Sequence, residues 1–302
     1  MAGSVLDEFV TAVGEADAVA ARGGATQWGV GGVLRPGTRE VQAPSGIVEY
    51  APEEMTVTVL AGTSVGDLHA ELATHAQRTA LAEADDSTVG GALAVGRDTI
   101  HRRGRGLVRD SLLQARYVSA EGRLVTAGGP TVKNVTGFDL CRLLVGSLGT
   151  LGLMGEVILR TKPVPPESRW LRGPVADPFG LAARLLTASS VLWDGEVTWV
   201  HLEGHGVDVA ADRAGPLAEL EDTSGPPPLP AHRWAMTPAA LADFDQSATG
   251  AFVAEIGVGT VHAAQPPPDS SVDPGLRRLN EQVKHRFDPT GRLNPGRDPL
   301  HR

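Results

Sequence analysis

The chain has 302 residues, long enough for one large domain or two modest ones, each with a core of its own. It carries 36 acidic against 27 basic residues, a net charge of -9, which opposes binding to a phosphate backbone unless the basic residues cluster strongly. No nucleic-acid partner is expected. A single cysteine, Cys141, excludes an internal disulfide and an iron–sulfur cluster held by this chain alone.

The start Met1-Ala2-Gly3-Ser4 lacks a basic segment leading into an apolar one, and no apolar run approaches about 18 residues. A soluble, cytoplasmic protein without direct membrane insertion is expected, and any contact with the inner face of a membrane would come through partners.

Of the 37 glycines, 24 lie at or before Gly155, between strand-like runs, so close backbone approach to a ligand is expected in the first half. After the apolar run Ala18–Ala21 comes Arg22-Gly23-Gly24-Ala25-Thr26-Gln27. Its small residues let successive N–H groups turn toward a phosphate, with Arg22 adding charge; a simple turn is the alternative. The alternation from Met55 to Leu60 predicts a strand. Ser64 with Asp67 predicts a helix cap, and Val65, Leu68, Leu72, Ala73 and Ala76 follow at helical spacing.

Ser87-Thr88-Val89-Gly90-Gly91-Ala92 is a second small-residue segment, either lining the other side of the same ligand or forming a turn. No Gly-x-x-x-x-Gly-Lys-Ser/Thr and no complete Gly-x-Gly-x-x-Gly occurs, which disfavours P-loop and Rossmann sites. His101-Arg102-Arg103-Gly104-Arg105, followed by Arg109, is the one basic cluster. It suits flavin phosphates, an anionic substrate or a docking subunit, and equally a solvated loop. Leu112–Val118, a turn at Glu121-Gly122 and Arg123–Thr126 predict a hairpin, so the class is α+β rather than doubly wound.

The segment Lys133-Asn134-Val135-Thr136-Gly137-Phe138-Asp139-Leu140-Cys141-Arg142-Leu143-Leu144-Val145-Gly146-Ser147-Leu148-Gly149-Thr150-Leu151-Gly152-Leu153-Met154-Gly155-Glu156-Val157 is the most specific in the chain. Gly146, Gly149 and Gly152 either admit a cofactor or let a turn pack against a strand. Asp139 and Arg142 have the spacing of a surface pair, and Cys141 reads as a packed thiol rather than a nucleophile. Pro163, Pro165 and Pro166 mark a boundary, which gives domains at 1–163, 164–268 and 269–302. The middle one carries Trp170, Trp193, Trp199 and Trp234 and is framed by the proline runs 226–228 and 266–268. Asp273 and Pro274 start a last helix with Leu276, Leu279, Val283 and Phe287 on one face.

The run from Lys133 to Val157 resembles the flavin-binding core of the FAD-linked oxidases, the vanillyl-alcohol oxidase and p-cresol methylhydroxylase superfamily. Within it the chain is most similar to the FAD-binding accessory subunits of bacterial glycolate oxidases, in that run and in the Arg22-Gly23-Gly24 loop. The ending Phe287-Asp288-Pro289-Thr290-Gly291-Arg292-Leu293-Asn294-Pro295-Gly296-Arg297 resembles the family's tail that returns to the flavin.

The resemblance implies a two-subdomain PCMH-type FAD-binding domain at 1–163, a small α/β cap at 164–268 and a C-terminal segment at 269–302 that packs back on the FAD domain. It implies FAD held by Arg22, Gly23, Gly24, Ala25, Thr26, Gln27, Thr88, Val89, Gly90, Gly91, Lys133, Asn134, Gly137, Asp139, Gly146, Gly149, Thr150, Gly152, Glu156, Val157 and Asn294. The first loop has no histidine for covalent attachment, so the expected FAD is non-covalent.

Relatives that oxidise 2-hydroxy acids carry a Gly-His-x-Gly-Asp-Gly-Asn-x-His metal and substrate element. Here the closest stretch is Ala254-Glu255-Ile256-Gly257-Val258-Gly259-Thr260-Val261-His262, in which His262 matches the final histidine while Glu255 replaces the first and Val258 the aspartate. No metal site is expected, and His262 is the sole catalytic candidate, as a base.

The resemblance implies a subunit of a glycolate-oxidase-like complex, taking part in 2-hydroxy acid oxidation beside a sister FAD subunit and an iron–sulfur subunit. An autonomous FAD-dependent 2-hydroxy acid dehydrogenase and a cofactor-free interaction scaffold are the alternatives.

Overall fold

A computed structural model describes residues 4–82, 86–129, 139–185, 187–215, 217–268 and 272–301. In chain order its elements are α1 (Val5–Val13), β1 (Val19–Ala21), β2 (Arg39–Val41), β3 (Ile47–Ala51), β4 (Thr56–Leu60), α2 (Val65–Ala73), β5 (Gln77–Arg78), α3 (Val89–Val95) and α4 (Arg102–Arg105). There follow β6 (Leu112–Val118), β7 (Leu124–Gly128), α5 (Leu140–Leu144), β8 (Leu153–Arg160), β9 (Lys162–Pro163), β10 (Glu167–Pro174), α6 (Pro178–Arg184), β11 (Ala188–Trp193) and β12 (Val197–Gly204). The last are α7 (Gly206–Ala214), β13 (Glu221–Thr223), β14 (His232–Ala235), β15 (Phe252–Glu255), β16 (Thr260–Ala263) and α8 (Pro274–Phe287). The class is α+β, with helices set around antiparallel sheets.

The chain divides into two units by its contacts: residues 1–99, 107–163 and 272–302 form the first, residues 100–106 and 164–271 the second. In the first unit a five-stranded antiparallel sheet runs in the order β3-β4-β8-β6-β7. Its pattern is legible in the strands themselves. In β4, Val57 and Val59 are fully buried while Thr56 and Thr58 are not, so the β-branched alternation puts valine into the core. Val157 and Leu159 of β8 continue that face.

Ser64 starts α2 by accepting from the Asp67 amide at 2.9 Å, and the helix buries Val65, Leu68 and Leu72 against the same core. A second cluster joins α1 (Phe9, Val13) to β1, β2 and Leu293, and Val19 forms a parallel bridge with Leu293. The C-terminal segment therefore adds backbone pairing to the first strand of the chain.

The second unit is a seven-stranded antiparallel sheet in the order β13-β10-β12-β11-β15-β16-β14. Leu171, Val191, Val200, Leu202, Ala254, Val261 and Ala263 lie in a core completed by Leu181 and Ala182 of α6 and Val209 of α7. Alternation along the same strands puts His201, Glu203, Ser190, Glu255 and His262 on the opposite face, since register pairs His201 with Ser190 and Thr260 with Glu255. One face is apolar and helix-covered; the other carries these polar and titratable side chains.

Helix α8 begins on Asp273 and Pro274 as its sequence predicts, but its expected apolar face is only half used. Val283 and Phe287 pack on the first core, whereas Leu276 and Leu279 are 50% and 57% exposed. The N-terminal turns of α8 reach past the surface that its last turns cover. Among the described residues no helix is long and apolar enough to cross a membrane.

Candidate flavin site

A cleft in the first unit lies between the loop after β1 and helix α3, open to solvent. Gly23, Gly24, Ala25, Thr26 and Gln27 form one wall, Ser87, Thr88, Gly91, Ala92, Ala94 and Val95 the other, and Leu148, Asn294 and Arg297 close it. A second recess shares Ala21, Gly23, Thr88, Gly91, Ala94 and Asn294 and continues past Arg22, Gly90, Gly149, Gly152 and Met154. The two form one continuous trough, because those six residues line both.

The first wall is a loop of small residues. Ala25 sits at φ 57°, a left-handed conformation that turns neighbouring amides to one side. The amides of residues 23–27 carry no hydrogen bond among the described residues, while Arg22 and Trp28 donate backward to Val41 and Ala25 at 2.8 and 3.2 Å. A hypothetical Cβ on Gly24 would run into the Asp86 carbonyl, so only glycine lets this loop lie against the segment before α3. Arg22 pairs with Glu40 at 2.8 Å on the surface.

The second wall works differently from its sequence pattern. The first amides of α3 are all spent inside the protein: Val89 donates to the Thr63 carbonyl at 2.9 Å, Gly90 to Ala61 at 2.7 Å, and Gly91 to the Thr88 hydroxyl at 3.2 Å. Thr88, Gly90 and Gly91 thus shape the trough by being small, and donate nothing to a ligand from those amides. Val89 is fully buried behind them.

The third wall comes from far along the chain. Leu148 and Gly149 have φ of 53° and 69°, so the chain reverses sharply ahead of β8. The Leu148 carbonyl accepts from the Asn294 amide nitrogen at 2.5 Å. Asn294 is itself left-handed at φ 43°, and its Oδ1 is buried with no hydrogen-bond partner. A buried acceptor left unpaired beside a cleft is costly unless a ligand donor meets it.

Asp288 fixes the segment that carries Asn294: Oδ2 accepts from Lys284 Nζ at 2.6 Å and from the Leu293 amide at 2.7 Å, and Oδ1 from the Arg292 amide at 3.0 Å. Burial pushes the Asp288 carboxyl up, but the Lys284 hydrogen bond and the two amides outweigh it and hold the group below the ordinary carboxylate value.

Other expected site residues stand elsewhere. Gly146 donates to the Leu93 carbonyl at 2.9 Å and touches Gly96, joining the turn to α3 without lining the trough. The Thr150 hydroxyl is spent on the Ser147 carbonyl at 2.7 Å. Val157 is a core residue of β8, and Glu156 pairs with Arg116 at 3.2 Å on that strand. Asp139 caps α5 and pairs with Arg142 at 3.0 Å. Lys133, Asn134 and Gly137 lie outside the described residues.

Two aromatic and cationic groups at the mouth were not among the expected residues. Trp28 lines the cleft, and the Arg297 guanidinium lies over its ring at 4.9 Å, with Arg22 at 5.5 Å. Arg297 also donates to the Val30 carbonyl at 3.2 Å and to that of Gly32, and burial lowers its pKa. A tryptophan directly after a glycine loop was the available signal; Arg297 had none beyond its place in the tail.

In the second unit His262 Nε2 meets Glu255 Oε1 at 2.8 Å, and the Glu255 side chain is 2% exposed. Glu255 of β15 and His262 of β16 thus form a hydrogen-bonded pair.

A family profile described as an FAD binding domain matches residues 5–128. Glycolate oxidase subunit GlcE of Escherichia coli is 28% identical over 219 residues, which is 70% of this chain and 63% of that protein. A D-lactate dehydrogenase of Archaeoglobus fulgidus is 38% identical over 80 residues, 26% of this chain and 18% of that protein. The chain thus spans less than two thirds of either relative. Among solved structures, an alkyldihydroxyacetonephosphate synthase superposes with a TM-score of 0.69 over 92% of this chain and 71% of that one, at 14% identity. The fold is shared where the sequence has diverged. Residues 5–128 thus match an FAD binding domain, and beyond them the chain is similar to a glycolate oxidase subunit and shares its fold with an alkyldihydroxyacetonephosphate synthase.

Proposed function

We propose that the trough of the first unit holds FAD non-covalently, and that the chain serves as an FAD-bearing subunit in the oxidation of a small 2-hydroxy acid, beside a sister flavoprotein and an iron–sulfur subunit. The observation that carries the reading is the trough itself. Its wall of amides at residues 23–27, which make no hydrogen bond among the described residues, suits a pyrophosphate, and the small residues of α3 let a flat group lie close. Asn294 Oδ1 offers an acceptor with no hydrogen-bond partner among the described residues. Gly149, Gly152 and Met154 continue the trough away from that wall. The residues fit the group.

FAD in this position supplies two-electron oxidation chemistry; the protein supplies binding and orientation. Arg297, over the ring of Trp28, and Arg22, although paired with Glu40, add positive charge at the end lined by residues 23–27. No histidine stands in the residue 22–27 loop, which supports a non-covalent cofactor. The kinship to glycolate oxidase and D-lactate dehydrogenase supports a 2-hydroxy acid substrate, and the word subunit in the E. coli relative's name supports a complex. A single cysteine supports the assignment of any cluster to another chain.

Acid precipitation of the purified chain is expected to release FAD into the supernatant in near-equimolar amount. Flavin retained in the pellet would point to covalent attachment, and a chain that carries none and takes up none would end the proposal. Anaerobic addition of glycolate or D-lactate then separates a subunit from an autonomous enzyme: loss of the flavin colour is expected only when the sister flavoprotein is present.

A further inference from the structure

We propose that the second unit holds a divalent transition-metal ion of the zinc class between His101, His201 and Glu203. His101 comes from the segment 100–106, and His201 and Glu203 from alternate positions of β12, so both β12 side chains project from the same face. The three ligand atoms lie within 4.8 Å of one another, and the two Nδ1 atoms face each other at 3.1 Å. Two nitrogens bound at about 2.05 Å with a tetrahedral angle between them stand about 3.3 Å apart, so the pair needs little movement to share an ion. The trio includes no residue of the Glu255–His262 stretch.

The surroundings fix the ligands as metal sites require. His201 is 3% exposed and has Ser168 Oγ at 2.8 Å from Nε2, which orients the ring and leaves Nδ1 toward His101. The ring of Trp170 stacks on His201 at 4.5 Å and 10°, and meets His101 edge-on at 5.9 Å, so neither imidazole turns freely. Ser189 Oγ lies 2.7 Å from His201 Nδ1 and has the His201 carbonyl at 3.4 Å as a second acceptor for its proton. Arg105 sits 3.4 Å from the Glu203 carboxylate, so without an ion that charge is compensated by a neighbour on α4.

Two imidazoles and one carboxylate suit zinc rather than magnesium or calcium. Three protein ligands leave a fourth position for water or for a carboxylate oxygen of a small anion. The ion would pin the segment 100–106 to the sheet of its own unit.

The test uses the full-length chain, stripped with a chelator, exposed to excess zinc chloride and dialysed against metal-free buffer. Elemental analysis is expected to find about one zinc per chain, and cobalt(II) in its place should give the intense visible bands of four-coordinate geometry. His101→Gln changes a half-buried side chain and Glu203→Gln keeps its shape, so both should fold, as circular dichroism would verify. Each is expected to weaken zinc binding at least tenfold, and Ser168→Ala about 10- to 100-fold, the usual cost of losing a partner behind a ligand.

A wild-type chain that retains no zinc, or retains as much in the double variant His101→Gln/Glu203→Gln, overturns the site and leaves a hydrogen-bonded histidine pair. Metal content and FAD content are read from the same sample, so failure here is distinct from failure of the flavin reading.

Discussion

At the scale of single residues, Gly149 and Cys141 show how much one side chain decides. A Cβ on Gly149 would overlap the Asn294 amide nitrogen, and φ of 69° adds strain for any L side chain. Gly149→Ala therefore has to displace Asn294 from the Leu148 carbonyl and from the trough. We expect the variant to fold with a loss of about 1–2 kcal/mol and to be purified with much less FAD than the wild type; undiminished flavin content would show that Asn294 does not touch the cofactor.

Cys141 is buried on α5, with the carbonyls of Leu113 and Ala127 at 3.6 and 3.5 Å, and burial pushes its thiol up to about 11. The thiolate is the nucleophile, so the folded chain should resist iodoacetamide at pH 8, with mass spectrometry finding alkylation only after unfolding. Its identity as a packed thiol was legible from a sequence that offers it no partner for catalysis. That Glu255 would bond His262 was not, because a carboxylate seven residues away becomes a neighbour only once the β15–β16 hairpin is in register.

At the scale of elements, the turn after α8 is held by one carboxylate. Asp288 gathers Lys284, the amides of Arg292 and Leu293 and the Thr290 hydroxyl, and so sets the backbone of Asn294. Its folded pKa is depressed, so this contribution is fully present above the unfolded carboxylate value and is lost as pH falls through the folded one. Acid titration of thermal stability should therefore decline more steeply for the wild type than for Asp288→Ala, which has already lost the carboxylate. At neutral pH that variant should cost about 3–5 kcal/mol, the usual consequence of removing one partner of a buried ion pair, measurable by denaturant unfolding.

The caps of α2 and α8 and the β6–β7 hairpin follow from the sequence, because the caps join residues three apart and the hairpin is closed by a turn in the short stretch between its strands. The exposure of Leu276 and Leu279 does not, since a helical stripe marks which side can be buried and never how far along the helix the partner surface extends.

At the scale of the molecule, the flavin reading ties the stability of the first unit to cofactor. Its trough is assembled from residues 21–30, 87–95, 148–154 and 294–297, and a ligand that binds only that assembled state stabilises it by mass action. FAD at a hundredfold its dissociation constant is expected to add about 2.7 kcal/mol, visible as a rise in melting temperature. The rise should shrink in Gly149→Ala. Differential scanning fluorimetry on FAD-stripped protein checks both.

What the sequence by itself determined is local or compositional: a negatively charged, single-cysteine, α+β chain with glycine loops after strands and a run from Lys133 to Val157 like that of the flavin oxidases. Those features depend on backbone conformations and hydrogen bonds between near neighbours, which residue types specify directly. Only the tertiary structure decided that the amides of Val89, Gly90 and Gly91 are spent inward, that Arg297 lies over Trp28, and that His101 meets His201. Each of these joins groups far apart in the chain or turns on which carbonyl lies opposite an amide. Such pairings are set by sheet register and by the burial of whole faces, and no short stretch of sequence encodes them.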